Sequence, residues 1–283
     1  MIASATSPVA PAPVGYPHST ATSPSDALLS VRGVSVRFGG IVALDGVSFD
    51  VSKGHICGLI GPNGAGKTTL FNCMSRLYQY QAGDILLEGR SITRVPTHAV
   101  AGLGLGRTFQ NLAMFKHMSV ADNVMVGAHV RSVSGFAASA LRLGSVSAEE
   151  RRLRERARGI MDYLGLTPVA DRPAGSLPFG TQKRIELGRA LAADPKLLML
   201  DEPAAGLNHE ELEALSDLIR DISNRLHITV LLVEHHMGLV MGLSDHVVVL
   251  NFGRKIAEGT PAQVREHPDV INAYLGAGAA GHV

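Results

Sequence analysis

The residues best suited to chemistry are Gly61-Pro62-Asn63-Gly64-Ala65-Gly66-Lys67-Thr68-Thr69, a glycine-rich run closed by a lysine and two threonines. This spacing suits a loop that wraps phosphate. Glycines let the backbone turn tightly and aim N–H groups at phosphate oxygens, Lys67 adds a point charge, and Thr68 offers a hydroxyl to Mg²⁺. A second group follows the apolar run Leu197-Leu198-Met199-Leu200, which ends in Asp201-Glu202. There Asp201 is placed to hold a Mg²⁺ shell through water, and the adjacent Glu202, facing the other way, to polarise a water that attacks a terminal phosphate. A third, Glu234-His235-His236, closes another apolar run. Neighbouring side chains on a chain leaving a strand point apart, so the two histidines are not expected to share a metal.

These groups need elements to carry them. Ile56 to Ile60 has the character of a strand, and Leu70 to Met74 is apolar at helical spacing, giving the phosphate loop a strand before it and a helix after it. The helix N-terminus adds partial positive charge. Leu197–Leu200 and Ile228–Val233 are unbroken apolar runs, as expected of strands buried on both faces of a parallel sheet. Upstream, Leu28 to Val51 alternates in the manner of antiparallel strands, with Phe38-Gly39-Gly40 ending the first. The Phe38 ring suits either core packing or stacking on a base. Gly83 to Gly89 reads as a short strand, and Thr97 to Ala101 as a brief helix. From Ser119 to Leu166 helical periodicity dominates, interrupted near 132–147 and resuming as an amphipathic helix from about Ala148 to Leu164. Pro173 to Thr181 is expected as a loop, Gln182 to Ala192 as a helix stopped before Pro195, and Glu210 to Ser223 as another helix. Two short strands, 247–250 and 254–257, then lead into a C-terminal helix.

The chain has 283 residues, 46% hydrophobic and 18% charged, with a formal net charge of +1. That balance suits a folded protein with a sizeable core and argues against a nucleic-acid partner. The basic run from Arg151 to Arg158 reads as a solvated helix face balanced by Glu149, Glu150 and Glu155. Cys57 and Cys73 show no metal-ligand spacing and fit as small core residues. No apolar run is long enough to cross a bilayer, and the N-terminus lacks the pattern of a signal peptide. Residues 1–26, rich in Pro, Ser, Ala and Thr, are expected to be a disordered tail, and 277–283 a frayed end.

Taken together these motifs resemble the ATP-binding subunit of ABC transporters, over about Leu29 to Leu275. The resemblance implies an α/β fold of ABC type: a P-loop NTPase with a mixed-sheet core, an antiparallel β subdomain and an α-helical subdomain. The cassette would span 27–276, with the helical part inserted at roughly 112–180. It also implies site residues. Phe38 would stack on adenine, Gly61 to Thr69 would hold the phosphates, and Gln110 would serve as the Q-loop glutamine, joining Thr68 and Asp201 around Mg²⁺. Leu177-Pro178-Phe179-Gly180-Thr181 would be the signature that covers ATP bound by a second subunit, with Pro178 and Thr181 departing from the usual serine and glutamine. Asn208 falls in the D-loop where many members carry Asp. Glu202, His235 and Lys67 would be the catalytic set. Finer similarity is to ATPases of importers for branched-chain and other hydrophobic amino acids, with relatives serving urea or short amides. Permease subunits, a second ATPase and an extracytoplasmic binding protein are then the expected partners, at the cytoplasmic face of the inner membrane. The rival expectations are a soluble ABC ATPase of DNA repair, translation or iron–sulfur assembly, and a P-loop kinase.

Overall fold

The structure, a computed structural model, describes residues 26–108, 113–131 and 144–279. Residues 1–25 of the expected tail, 132–143 of the interruption expected at 132–147, and Gln110 lie outside them. Two sheets organise the chain. β1 (Ala27–Phe38) and β2 (Ile41–Ser52) form an antiparallel pair whose turn is Gly39-Gly40, with Phe38 opposite Ile41. Gly39 has φ 58°, the left-handed conformation that a two-residue hairpin turn requires. With β4 (Ala82–Leu87) and β5 (Arg90–Ser91) they make a four-stranded sheet in the order β2-β1-β4-β5.

The larger sheet runs β10-β9-β3-β8-β7-β6. Its parallel members are β3 (Ile56–Ile60), β6 (Leu105–Arg107), β7 (Leu197–Asp201), β8 (Thr229–Val233) and β9 (His246–Asn251), and β10 (Arg254–Gly259) pairs antiparallel at the edge. Every residue of β3, β7 and β8 is buried. Alternate side chains go to opposite cores. Ile60, Leu198, Leu200, Val230 and Leu232 join the helices on one face, while Leu59, Leu197, Met199, Leu231 and Val233 join the antiparallel sheet and the phosphate-loop helix on the other. Burial on both faces explains why these runs carry no polar alternation.

Helices supply the outer layers: α1 (Lys67–Met74), α2 (Val120–Ala128), α3 (Gly144–Tyr163), α4 (Phe179–Ala192), α5 (His209–Leu226), α6 (Met237–Leu243), α7 (Pro261–Glu266) and α8 (Pro268–Ala279). Several bounds differ from expectation: α5 runs from His209 to Leu226 rather than Glu210 to Ser223, and β9 and β10 extend past 247–250 and 254–257. α3 starts at Gly144 rather than near Ala148, and α8 runs on to Ala279. α4 begins at Phe179 instead of Gln182, because Pro178 enters the helix with its carbonyl accepting from the Gln182 N–H at 3.0 Å. Gly180 and Thr181, expected in a loop, therefore occupy the first helical turn. The run from Arg151 to Arg158 lies on α3, where Arg156 pairs with Asp194 at 2.6 Å. Cys57 and Cys73 are free and buried, and burial raises their thiols to about 12 and about 11, so both are inert core residues.

Candidate nucleotide-binding and hydrolysis site

In an open α/β sheet the ligand crevice lies at the carboxyl ends of the parallel strands. The registers bring those ends level here: Leu59 of β3 pairs with Val233 of β8, and Val233 pairs with Asp201 of β7. The phosphate loop leaves β3, Asp201 and Glu202 end β7, and Glu234-His235 leave β8. Three segments far apart in sequence thus meet along one edge.

The loop is shaped for a polyanion. Gly61 and Gly66 hold φ of 152° and 100°, and a Cβ on them would stand 2.1 Å from the Leu250 carbonyl and 2.6 Å from the Ala43 carbonyl. Gly64, by contrast, has open space before it. Lys67, nearly buried, donates from Nζ to the Gly61 carbonyl at 2.7 Å and the Pro62 carbonyl at 3.0 Å. Burial lowers its ammonium, against the raising influence of Glu202 and then Asp201. Thr68 is exposed at the start of α1, open to a ligand. A glycine cradle, a desolvated lysine, an exposed hydroxyl and a nearby carboxylate are a donor set that fits nucleotide phosphates with Mg²⁺.

Asp201 is 3% exposed, and burial raises its carboxyl while Arg107 pulls it back down. Arg107 Nη2 donates to Asp201 Oδ2 at 2.9 Å, and Nη1 reaches Asn72 Oδ1 at 2.9 Å and Ser75 Oγ at 3.0 Å. Thr108 Oγ1 accepts the Asp201 N–H at 3.3 Å. Glu202 has φ 47°, a left-handed conformation that costs a non-glycine residue about 1–3 kcal/mol. Its N–H donates to the Val233 carbonyl at 2.9 Å and its carbonyl accepts from the Ala205 N–H at 3.2 Å. His235 Nδ1 lies 3.8 Å from Glu202 Oε2 and 4.0 Å from Glu234 Oε2. His236 does something else: its Nδ1 accepts the Leu239 N–H at 3.2 Å and caps α6.

Phe38 is exposed, with Tyr78 edge-on at 5.3 Å, so its ring is not spent on the core. The stretch Leu177–Thr181 sits at the start of α4. Leu177 is buried, a Cβ on Gly180 would stand 2.5 Å from Glu211 Oε1, and the Phe179 ring covers Gly206. Lys183 Nζ stands 5.5 Å from the centre of that ring. Thr181 Oγ1 faces Arg184 Nη2 at 3.5 Å. Asn208 Oδ1 accepts the Glu211 N–H at 2.9 Å while Glu211 Oε2 accepts the Asn208 N–H at 3.1 Å, a reciprocal cap for α5. A cleft of about 310 Å³ separates this loop from His235, lined by Ala204, Asn208, His209, Glu234 and His235 among others. Sequence reasoning gave Arg107, Thr108 and Glu234 no role of their own. A lone arginine or glutamate at a strand end has no spacing rule, and only the position directly beside a motif hinted at them.

The fold and this edge define an ATP-binding cassette, and the chain belongs to the ABC transporter family. A family model described as ABC transporter matches residues 44–205, and one described as branched-chain amino acid ATP-binding cassette transporter matches 254–280. The chain is 45% identical to the high-affinity branched-chain amino acid transport ATP-binding protein BraF of Pseudomonas aeruginosa, over 88% of this chain and 98% of that one. It is 42% identical to LivG of Escherichia coli K12, named likewise, over 89% and 99%. Among solved structures it is similar to an ABC transporter cassette in its ADP conformation, with TM-score 0.77 and 32% identity over 88% and 99% of the chains. A nucleotide-free cassette of an ABC transporter matches with TM-score 0.76 and 32% identity.

Proposed function

We propose that this chain hydrolyses MgATP to drive uptake of branched-chain or other hydrophobic amino acids through permease subunits at the cytoplasmic face of the membrane. The observation that carries the site is the convergence of Lys67, Asp201, Glu202 and His235 on one sheet edge; the cargo rests on the names of BraF and LivG. In this reading Phe38 takes the base and residues 61–69 the phosphates, while Thr68, Asp201 and Gln110 hold Mg²⁺, which screens phosphate charge. Glu202 orients and deprotonates the attacking water, with His235 beside it to stabilise the phosphate and Lys67 to neutralise developing charge. Water exclusion falls to a second ATPase subunit, identical or paralogous. Its Leu177–Thr181 helix start, presenting N–H groups and the positive end of a helix, closes over the nucleotide. The part from roughly 112 to 180 acts as a helical subdomain that receives the permease, and a binding protein delivers the amino acid from outside.

The test is a cross-link. Cysteines at Asn63 of the phosphate loop in one copy and at Thr181 in another, in a Glu202→Gln background with MgATP and the permease present, are expected to join between copies. Only intramolecular or no cross-linking under those conditions would overturn the closed-dimer reading. Uptake of radiolabelled leucine lost in Lys67→Ala and restored by the native chain tests the cargo.

A further inference from the structure

Glu234 is fully buried, and the mechanism above gives it no task. Its side chain folds back across the end of β8. Oε1 accepts the N–H of Ala204 at 2.8 Å, and Oε2 accepts the N–H of His235 at 3.2 Å and of His236 at 3.5 Å. Ala204 belongs to the loop that follows Glu202; His235 and His236 open the loop that follows β8. One carboxylate therefore joins the two loops whose side chains, Glu202 and His235, stand 3.8 Å apart.

The residue type matters. Both connections need an acceptor, and an ionised carboxylate is the side chain with acceptors on both arms and no donor to oppose an N–H. A buried carboxylate is costly unless its hydrogen bonds are made, and such charge-assisted bonds are roughly twice as strong as neutral ones. A displacement of Ala204 must then either carry Glu234 with it or break a bond that burial makes expensive. His236 extends the linkage by capping α6.

We propose that Glu234 is a positioning residue for hydrolysis: it sets the separation of Glu202 and His235 and transmits movement of the 204–208 loop to His235. The inference rests on the roles given to Glu202 and His235 above. It differs from a purely structural role because it acts through His235 and leaves nucleotide binding alone.

The experiment compares Glu234→Gln, His235→Ala and the double variant in the full-length chain. Single-turnover ATP hydrolysis, MgATP affinity and thermal midpoint are measured for each. Glu234→Gln keeps volume and one acceptor while turning an N–H₂ group toward the other loop. Turnover is expected to fall about 10- to 100-fold, as for a small misplacement of a catalytic group, with MgATP affinity within about twofold. In the His235→Ala background the same change is expected to cost less than about twofold more. Wild-type turnover in Glu234→Gln, an undiminished loss in the His235→Ala background, or a loss of affinity equal to the loss of turnover would each overturn the proposal. Full turnover in His235→Ala would instead bring down the reading of the site, and this inference with it. Should Glu234→Gln fail to fold, Glu234→Asp, which keeps the charge but shortens the reach, carries the same comparison.

Discussion

Arg107 holds Asp201 at 2.9 Å across a buried ion pair in which the side chains are 8% and 3% exposed. The same guanidinium is anchored on the last turn of α1 through Asn72 and Ser75, so the carboxylate assigned to Mg²⁺ is fixed to the phosphate-loop helix. Removing one partner of such a pair strands a buried charge and typically costs about 3–5 kcal/mol. Arg107→Met should show a loss of that size in urea unfolding, and Arg107→Met with Asp201→Asn should lose less than the sum of the single changes. Strict additivity would show that the two side chains are not coupled.

Glu202 should separate binding from chemistry. Its carboxylate lies at the sheet edge, while Lys67 and the loop carbonyls that receive it do not depend on Glu202 for their hydrogen bonds. Glu202→Gln should keep MgATP affinity within about threefold and lose at least about a hundredfold in turnover, the range for a general base. Equilibrium binding and single-turnover hydrolysis measure the two halves, and normal turnover would remove Glu202 from its role.

The parallel sheet was legible because β3, β7 and β8 are buried on both faces and so read as unbroken apolar runs, and the phosphate loop because its glycines meet a backbone need at fixed spacing. The start of α4 was not. A proline, a glycine and a threonine within four residues look like a loop until the helix is seen to enter from Pro178. The contacts of Arg107 and Glu234 were hidden for a different reason: their partners, Asp201 and Ala204, lie 94 and 30 residues away, a distance that only the folded sheet collapses.

Asn208 illustrates a role that geometry adds to resemblance. Its side chain closes a capping box with Glu211. Asn208→Ala should cost about 0.5–2 kcal/mol, and Asn208→Asp, an equally good cap, should cost little. Thermal or urea unfolding distinguishes them; equal stability of all three forms would mean the cap contributes nothing.

Two loop glycines offer a controlled comparison. Gly64 and Gly66 both have positive φ, 79° and 100°, but a Cβ on Gly64 meets nothing within 4 Å while one on Gly66 would press on the Ala43 carbonyl. Alanine at either carries left-handed strain of about 1–3 kcal/mol. Only Gly66→Ala adds a clash with backbone that must move the loop from β2. It should weaken MgATP binding at least about tenfold more than Gly64→Ala, measured by nucleotide titration, and equal effects would assign the whole cost to φ.

Acid stability should carry the mark of Asp84 in the antiparallel sheet. Its Oδ1 accepts from Thr93 Oγ1 at 2.6 Å, Ser91 Oγ at 2.7 Å, the Ile85 N–H at 2.8 Å and Tyr80 Oη at 3.3 Å. Burial pushes this carboxyl up, but the hydrogen bonds from Thr93, Ser91, Ile85 and Tyr80 together outweigh it and hold it below its ordinary value. With the folded value below the unfolded one, the unfolded chain binds more protons between them. The stabilisation is therefore complete above the ordinary Asp value of about 3.9 and is lost as pH falls through the folded value. Asp84→Asn, which cannot ionise, should lower the urea midpoint at neutral pH, and its deficit relative to the native chain should shrink as pH drops below about 4. A deficit that stays constant down to the lowest pH at which the chain still folds would show that these four donors stabilise position 84 by shape and not by its charge.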